Sequence, residues 1–82
     1  MNQREALARL QGVFDSVFLD PPRVTAELSA RDVPEWDSLL HISLVIAVEN
    51  EFAIRFQVGE VEATHTVGEL AAVIAGRLAD QA

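Results

Sequence analysis

Eighty-two residues without a cysteine can enclose one small hydrophobic core, but they supply neither a disulfide framework nor a thiolate metal site. Half of the residues are hydrophobic, too many for a disordered chain. Thirteen acids against six arginines give a formal charge of −7, the wrong sign for a nucleic-acid or anionic-membrane partner, although solubility alone accounts for such acidity as well as a basic protein partner does.

The start of the chain, Met1-Asn2-Gln3-Arg4-Glu5, has no basic segment followed by an apolar one, so no signal peptide is read and a cytoplasmic protein is expected. Lack of cysteine fits a reducing compartment. Residues 2–18 carry Leu7, Leu10, Phe14, Val17 and Phe18 at helical spacing. Asn2 with Glu5 has capping-box spacing, and Pro21-Pro22 forbids continuation. A connection over residues 19–37 follows, far longer than the roughly 2–8 residues usual in bundles. Val24, Leu28, Val33 and Trp36 recur along it, so it is read as ordered and wrapped across the core.

The second helix should begin near Ser38 and run to about Phe52; its longest apolar run, Leu44 to Val48, is too short to span a bilayer. Gly59 to Ala63 could form one short helical turn. A last helix begins after Thr66, with Glu69 placed to reach back, and shows an apolar face of Val67, Leu70, Ala71, Ile74 and Leu78. No stretch alternates as a strand would. The predicted fold is an all-α four-helix bundle with three longer helices, one short helix and a long first loop, a single domain over residues 1–82.

On a helical wheel of the second helix, Leu44, Val45, Val48 and Phe52 form the core face, while Ser43, Asn50 and Glu51 lie opposite. Ser38, Ile42, Ile46 and Glu49 run along one edge, with Leu39 further toward solvent. That edge suits a docking strip, but the wheel alone favours Ile42 and Ile46 as a widening of the core. Leu40 projects into the polar sector, where it would extend a contact patch. His41 points coreward; the expected role is a partly buried imidazole hydrogen-bonded to the long loop, the rival an influence on chemistry at Ser38. His65 reads as a loop residue.

Two histidines and scattered acids show no metal spacing, and the four glycines are isolated, so no phosphate-cradling loop exists. Ser38 lies in Glu35-Trp36-Asp37-Ser38-Leu39, not in a G-x-S-x-G elbow, and His41 is too local to serve as its base. Self-contained catalysis is therefore not expected. Ser38 is left as either the N-cap of the second helix, in an unmodified acidic interaction module, or a hydroxyl that accepts a group from another enzyme.

Asp37-Ser38-Leu39, Ile42, Leu44-Val45-Ile46-Ala47-Val48-Glu49 and Glu51-Phe52 together resemble the acyl carrier proteins. Ile54, Phe56, Glu60, Glu62 and Thr66-Val67-Gly68-Glu69-Leu70 follow in that family's order. The resemblance implies that Ser38 receives 4′-phosphopantetheine from coenzyme A through a separate magnesium-dependent phosphopantetheinyl transferase. The arm would hold acyl groups as thioesters, on a monomer visited by acyl-loading and acyl-processing enzymes. By the same resemblance Asp37 would help the transferase recognise the site, Leu39, Ile42 and Ile46 would be apolar partner contacts, and Glu49 an acidic one. Leu40, Ser43 and Asn50 stand where carriers of general fatty-acid synthesis often have acids, Arg55 follows the helix, and Gln57 replaces a frequent proline. With Trp36 and His41 flanking the motif, this implies a specialised lipid, polyketide or related pathway. An aminoacyl or peptidyl carrier is the alternative, though such carriers commonly have glycine where Trp36 stands.

Overall fold

The computed structural model describes residues 1–81, and over them the capping residues set the helix limits. Asn2 Oδ1 accepts from the Glu5 N–H at 2.8 Å and Glu5 returns a carboxylate oxygen to the Asn2 N–H at 3.3 Å, the reciprocal box that starts α1, Gln3–Val17. Past its end, Glu35 accepts from the N–H groups of Leu19 and Asp20 at 2.7 and 3.1 Å, turning the chain back before the two prolines. Helices α2, Ser38–Phe52, and α3, Val67–Gln81, complete three helices of fifteen residues each. Thr66 Oγ1 accepts from the Glu69 N–H at 3.2 Å, as expected of a cap, while the Glu69 carboxylate reaches back to the N–H of His65.

The all-α class holds, and no strand occurs among the described residues. The fourth helical element is a single 3-10 turn, Ala30–Asp32, inside the long loop. Residues 59–63, expected to form one short helical turn, lie instead in a run of turns over residues 58–63. Gly59 there takes φ +84°, outside the right-handed helical region. So short a segment also falls below the length at which a helix supports its own nucleus. Arg77 of α3 holds this segment: its guanidinium meets both carboxylate oxygens of Glu60 at 2.5 and 2.6 Å and donates to the Arg55 carbonyl.

The long loop is anchored along its length. Gln11 donates to the Pro22 carbonyl and accepts from the Val24 N–H. Further on, the carbonyls of Ala26 and Leu28 accept from the N–H groups of Gly68 and Val67, capping the start of α3 at 2.9 and 2.8 Å. A Cβ on Gly68 would lie 2.7 Å from the Ala26 oxygen, so this approach of backbone to backbone requires glycine. Val33 enters the core, and the Trp36 ring packs edge-on against Phe14 and Phe18 at 5.3 and 5.8 Å.

Leu10, Phe14, Leu44, Val48, Val67 and Ile74 are the largest fully buried side chains, and no polar residue among those described is buried. Helix α1 packs closely against both α2 and α3. Between α2 and α3 lies a cavity of about 240 Å³ lined by residues of both.

Candidate functional site

Asp37 begins the site. Its Oδ1 accepts from the Leu40 N–H at 2.8 Å and its carbonyl accepts from the His41 N–H at 2.9 Å, making it the N-cap of α2. Ser38 is therefore the first helical residue and not the cap, which corrects the capping alternative for its hydroxyl. The side chain is exposed. With Leu40 and His41 served by Asp37, helix geometry leaves the N–H groups of Ser38 and Leu39 as the unpaired donors of the first turn, beside the Ser38 hydroxyl. A hydroxyl so placed is open to a second macromolecule and lies at the positive end of a helix.

Burial along α2 sorts into rows four residues apart. Leu40, Leu44, Val48 and Phe52 form the inward row, with Leu40 half-buried against the core and the other three fully covered. Leu40 thus extends the core by one turn instead of projecting into solvent. A wheel misplaces it because each four-residue step turns 40° past a full circle, so one inclined ridge spreads over 120° between Leu40 and Phe52.

Ser38, Ile42, Ile46 and Asn50 form the outward row; Ile42 and Ile46 are 58% and 53% exposed, so they do not widen the core. Leu39, 76% exposed, stands beside them. Three large apolar side chains next to an exposed hydroxyl make a continuous apolar strip. Val45, read from the wheel as core, is half-buried and lines the cavity. Glu49, in the same row, is half-buried and accepts from the Phe56 N–H at 2.8 Å, so its carboxylate also fixes the chain leaving α2. That exit needs fixing, because Ala53 takes the left-handed conformation at φ 54°.

His41 is half-buried and bonded to the long loop, as expected: Trp36 Nε1 donates to His41 Nδ1 at 3.1 Å. On its other side Nε2 lies 3.6 Å from Glu62 Oε2, a residue for which the sequence offered no role. His65 is exposed at the cavity edge. The cavity itself was not read from the sequence. Its signal lies in the valines, Val45, Val48, Val61 and Val67, whose short side chains meet where longer ones would have closed the gap. Among the described residues no cluster of three or more histidine or acidic side chains could hold a metal ion, and no helix is long and apolar enough to cross a membrane.

No protein-family model matches the chain. It is 31% identical over 80 residues to a protein named acyl carrier protein from Thermosynechococcus vestitus, covering 96% of this chain and 99% of that one. Its fold superposes on the solution NMR structure of a holo acyl carrier protein from Geobacter metallireducens with a TM-score of 0.74 and 33% identity, over 96% of this chain and 87% of that one.

Proposed function

The chain belongs to the acyl carrier protein family, and from that premise we propose that residues 1–82 are one carrier domain whose Ser38 is esterified by 4′-phosphopantetheine taken from coenzyme A. The observation that carries this is the division of labour at the start of α2, where Asp37 caps the helix and the exposed Ser38 hydroxyl takes no part in capping. The residues fit a phosphodiester: the Ser38 and Leu39 N–H groups and the helix dipole offset its negative charge. Once bound, the arm supplies the thiol that this cysteine-free chain lacks, on which acyl groups are held as thioesters.

Asp37 sets the direction of the first turn and so presents Ser38 to the transferase. Leu39, Ile42 and Ile46 give that enzyme, and the acyl-loading and acyl-processing enzymes after it, an apolar surface to cover, with Glu49 at its margin. Despite the overall charge of −7, the rows facing outward near Ser38 hold Leu39, Ile42, Ser43, Ile46 and Asn50, and the one acid in them, Glu51 at the far end, is paired with Arg9. Partners that select by arginine contacts gain little here, which supports service in a specialised lipid, polyketide or related pathway. The protein acts as a monomeric carrier in the cytoplasm, and chemistry on its cargo belongs to its partners.

The test is intact-mass measurement after incubation with coenzyme A, magnesium and a broad-specificity phosphopantetheinyl transferase. A pantetheinyl adduct on wild type but not on Ser38→Ala is expected. Absence of the adduct with several active transferases would sink the reading and favour an unmodified interaction module. Loading assays with acyl-activating and amino-acid-activating enzymes then separate an acyl carrier from an aminoacyl one.

A further inference from the structure

Trp36 and His41 stand on either side of the turn that carries Ser38, and their side chains close across it. Trp36 Nε1 donates to His41 Nδ1 at 3.1 Å, and the two rings stack with centroids 6.2 Å apart. The other bonds of this turn stay within it: the Asp37 N–H donates to the Glu35 carbonyl, and Asp37 accepts from the N–H groups of Leu40 and His41. Bonds of that kind shape a helix start, yet helix ends fray. Beyond the packing of half-buried Leu40, what ties the turn to the core is the Trp36–His41 bond, because the Trp36 ring is seated edge-on against Phe14 and Phe18. An indole N–H only donates, so His41 Nδ1 accepts and carries no hydrogen, and in the neutral ring the hydrogen is on Nε2. A second proton has only Nδ1 to go to, where it sets one N–H against another, so the clip closes only while His41 is neutral. Few titratable side chains surround the ring among the described residues. Glu62, on the turns before α3, lies 3.6 Å from Nε2 with its side chain 64% exposed, and His65 lines the same space. On α2 itself Asp37 is occupied in capping, and from α1 the clip meets the apolar ring of Phe14.

We propose that Trp36 and His41 are positioning residues for phosphopantetheinylation, their bond holding the Ser38 hydroxyl in the orientation the transferase requires. The inference rests on Ser38 being the attachment site. In the transfer the Ser38 oxygen bonds to the pantetheine-side phosphorus of coenzyme A, the phosphoanhydride bond breaks and the adenosine bisphosphate leaves, while the hydroxyl proton passes to the transferase. Trp36 and His41 act through the turn and not on those atoms. A turn already fixed has less freedom to lose when the transferase engages it, and its acceptor oxygen stays aligned for attack. The same bond makes the presentation of Ser38 depend on the protonation of His41.

The experiment follows pantetheinylation by intact mass and measures kcat/KM with one transferase. The substrates are wild type, Trp36→Phe, His41→Leu, the double variant and His41→Asn, each shown to be folded by circular dichroism. In the last of these Oδ1 takes the place of Nδ1 as acceptor and does not titrate. Near pH 8, Trp36→Phe and His41→Leu should each lower kcat/KM roughly three- to tenfold, the worth of one hydrogen bond. The double variant should fall no further than either single one, because both remove the same bond. His41→Asn should stay close to wild type. From about pH 8 down to about pH 5, where histidine titrates, the ratio of wild type to His41→Asn should fall in step with the ¹⁵N titration of the His41 ring. The pH dependence of the transferase, and of Glu62 and His65, cancels in that ratio. A flat ratio, or additive losses in the double variant, would overturn the positioning role and leave the carrier reading intact. Should His41→Leu fail to fold, wild type against His41→Asn decides alone. No adduct on any of these proteins with several active transferases would overturn the carrier reading and this inference with it.

Discussion

At the start of α2 two adjacent residues divide two roles that could have fallen to one. Asp37 supplies the capping oxygen and Ser38 the exposed hydroxyl, so the chemistry of Ser38 can change without unravelling the helix beneath it. The arrangement separates stability from modification experimentally. Asp37→Ala removes the cap and should lower stability by about 1 kcal/mol in urea unfolding. Asp37→Asn keeps a capping oxygen of similar strength and should stay close to wild type in the same measurement. If the transferase reads the Asp37 charge, modification of the asparagine variant slows even though its fold is intact. Equal modification rates for Asn and wild type would reduce Asp37 to a structural cap.

At the scale of the element, α2 is two helices in one, an inward ridge of Leu40, Leu44, Val48 and Phe52 and an outward ridge of Ser38, Ile42, Ile46 and Asn50. Its apolar residues surround the axis instead of forming one stripe, so periodicity alone could not say which of them were core. The helix limits were legible, because caps and prolines act locally: Asn2 with Glu5, Thr66 with Glu69 and the stop before Pro21 all operate within four residues. The start of α2 near Ser38 was legible as well. Which leucine or isoleucine faced inward was not, since that depends on how an inclined ridge meets α1. The cavity was hidden too, because it exists only where α2 and α3 stand apart after both have packed on α1. The ridge assignment makes a direct contrast. Ile42→Ala and Ile46→Ala should each change stability by no more than about 0.5 kcal/mol, whereas Leu44→Ala should cost about 2–5 kcal/mol. The isoleucine variants should instead raise KM for partner enzymes. A large loss of stability in Ile42→Ala would return that residue to the core.

Over the whole molecule, thirteen acids face six arginines, so neutral pH leaves a net repulsion that acidification relieves. A local interaction opposes that trend. Glu60 accepts from the Gln57 N–H at 2.9 Å and pairs with Arg77, and both hold its carboxyl below the ordinary value, the backbone hydrogen bond first. A carboxyl whose pKa is lower folded than unfolded stabilises the fold fully above the unfolded value. As pH falls below that value the unfolded chain takes up the proton first, and the contribution is lost as pH descends through the folded pKa. For Glu60 the loss therefore begins near pH 4.5 and continues below it. Wild-type stability against pH sums this loss with the relief of repulsion, so its shape alone assigns nothing to Glu60. Subtracting the curve of Glu60→Gln isolates the pair. The variant should be less stable than wild type at neutral pH, and the two should converge as pH falls below about 4.5. Convergence matters because Glu60 and Arg77 tie the 55–61 segment, on which Phe56 and Val61 border the cavity, to α3. Parallel curves across the acid range would remove this pair from the acid response and leave net charge as its source.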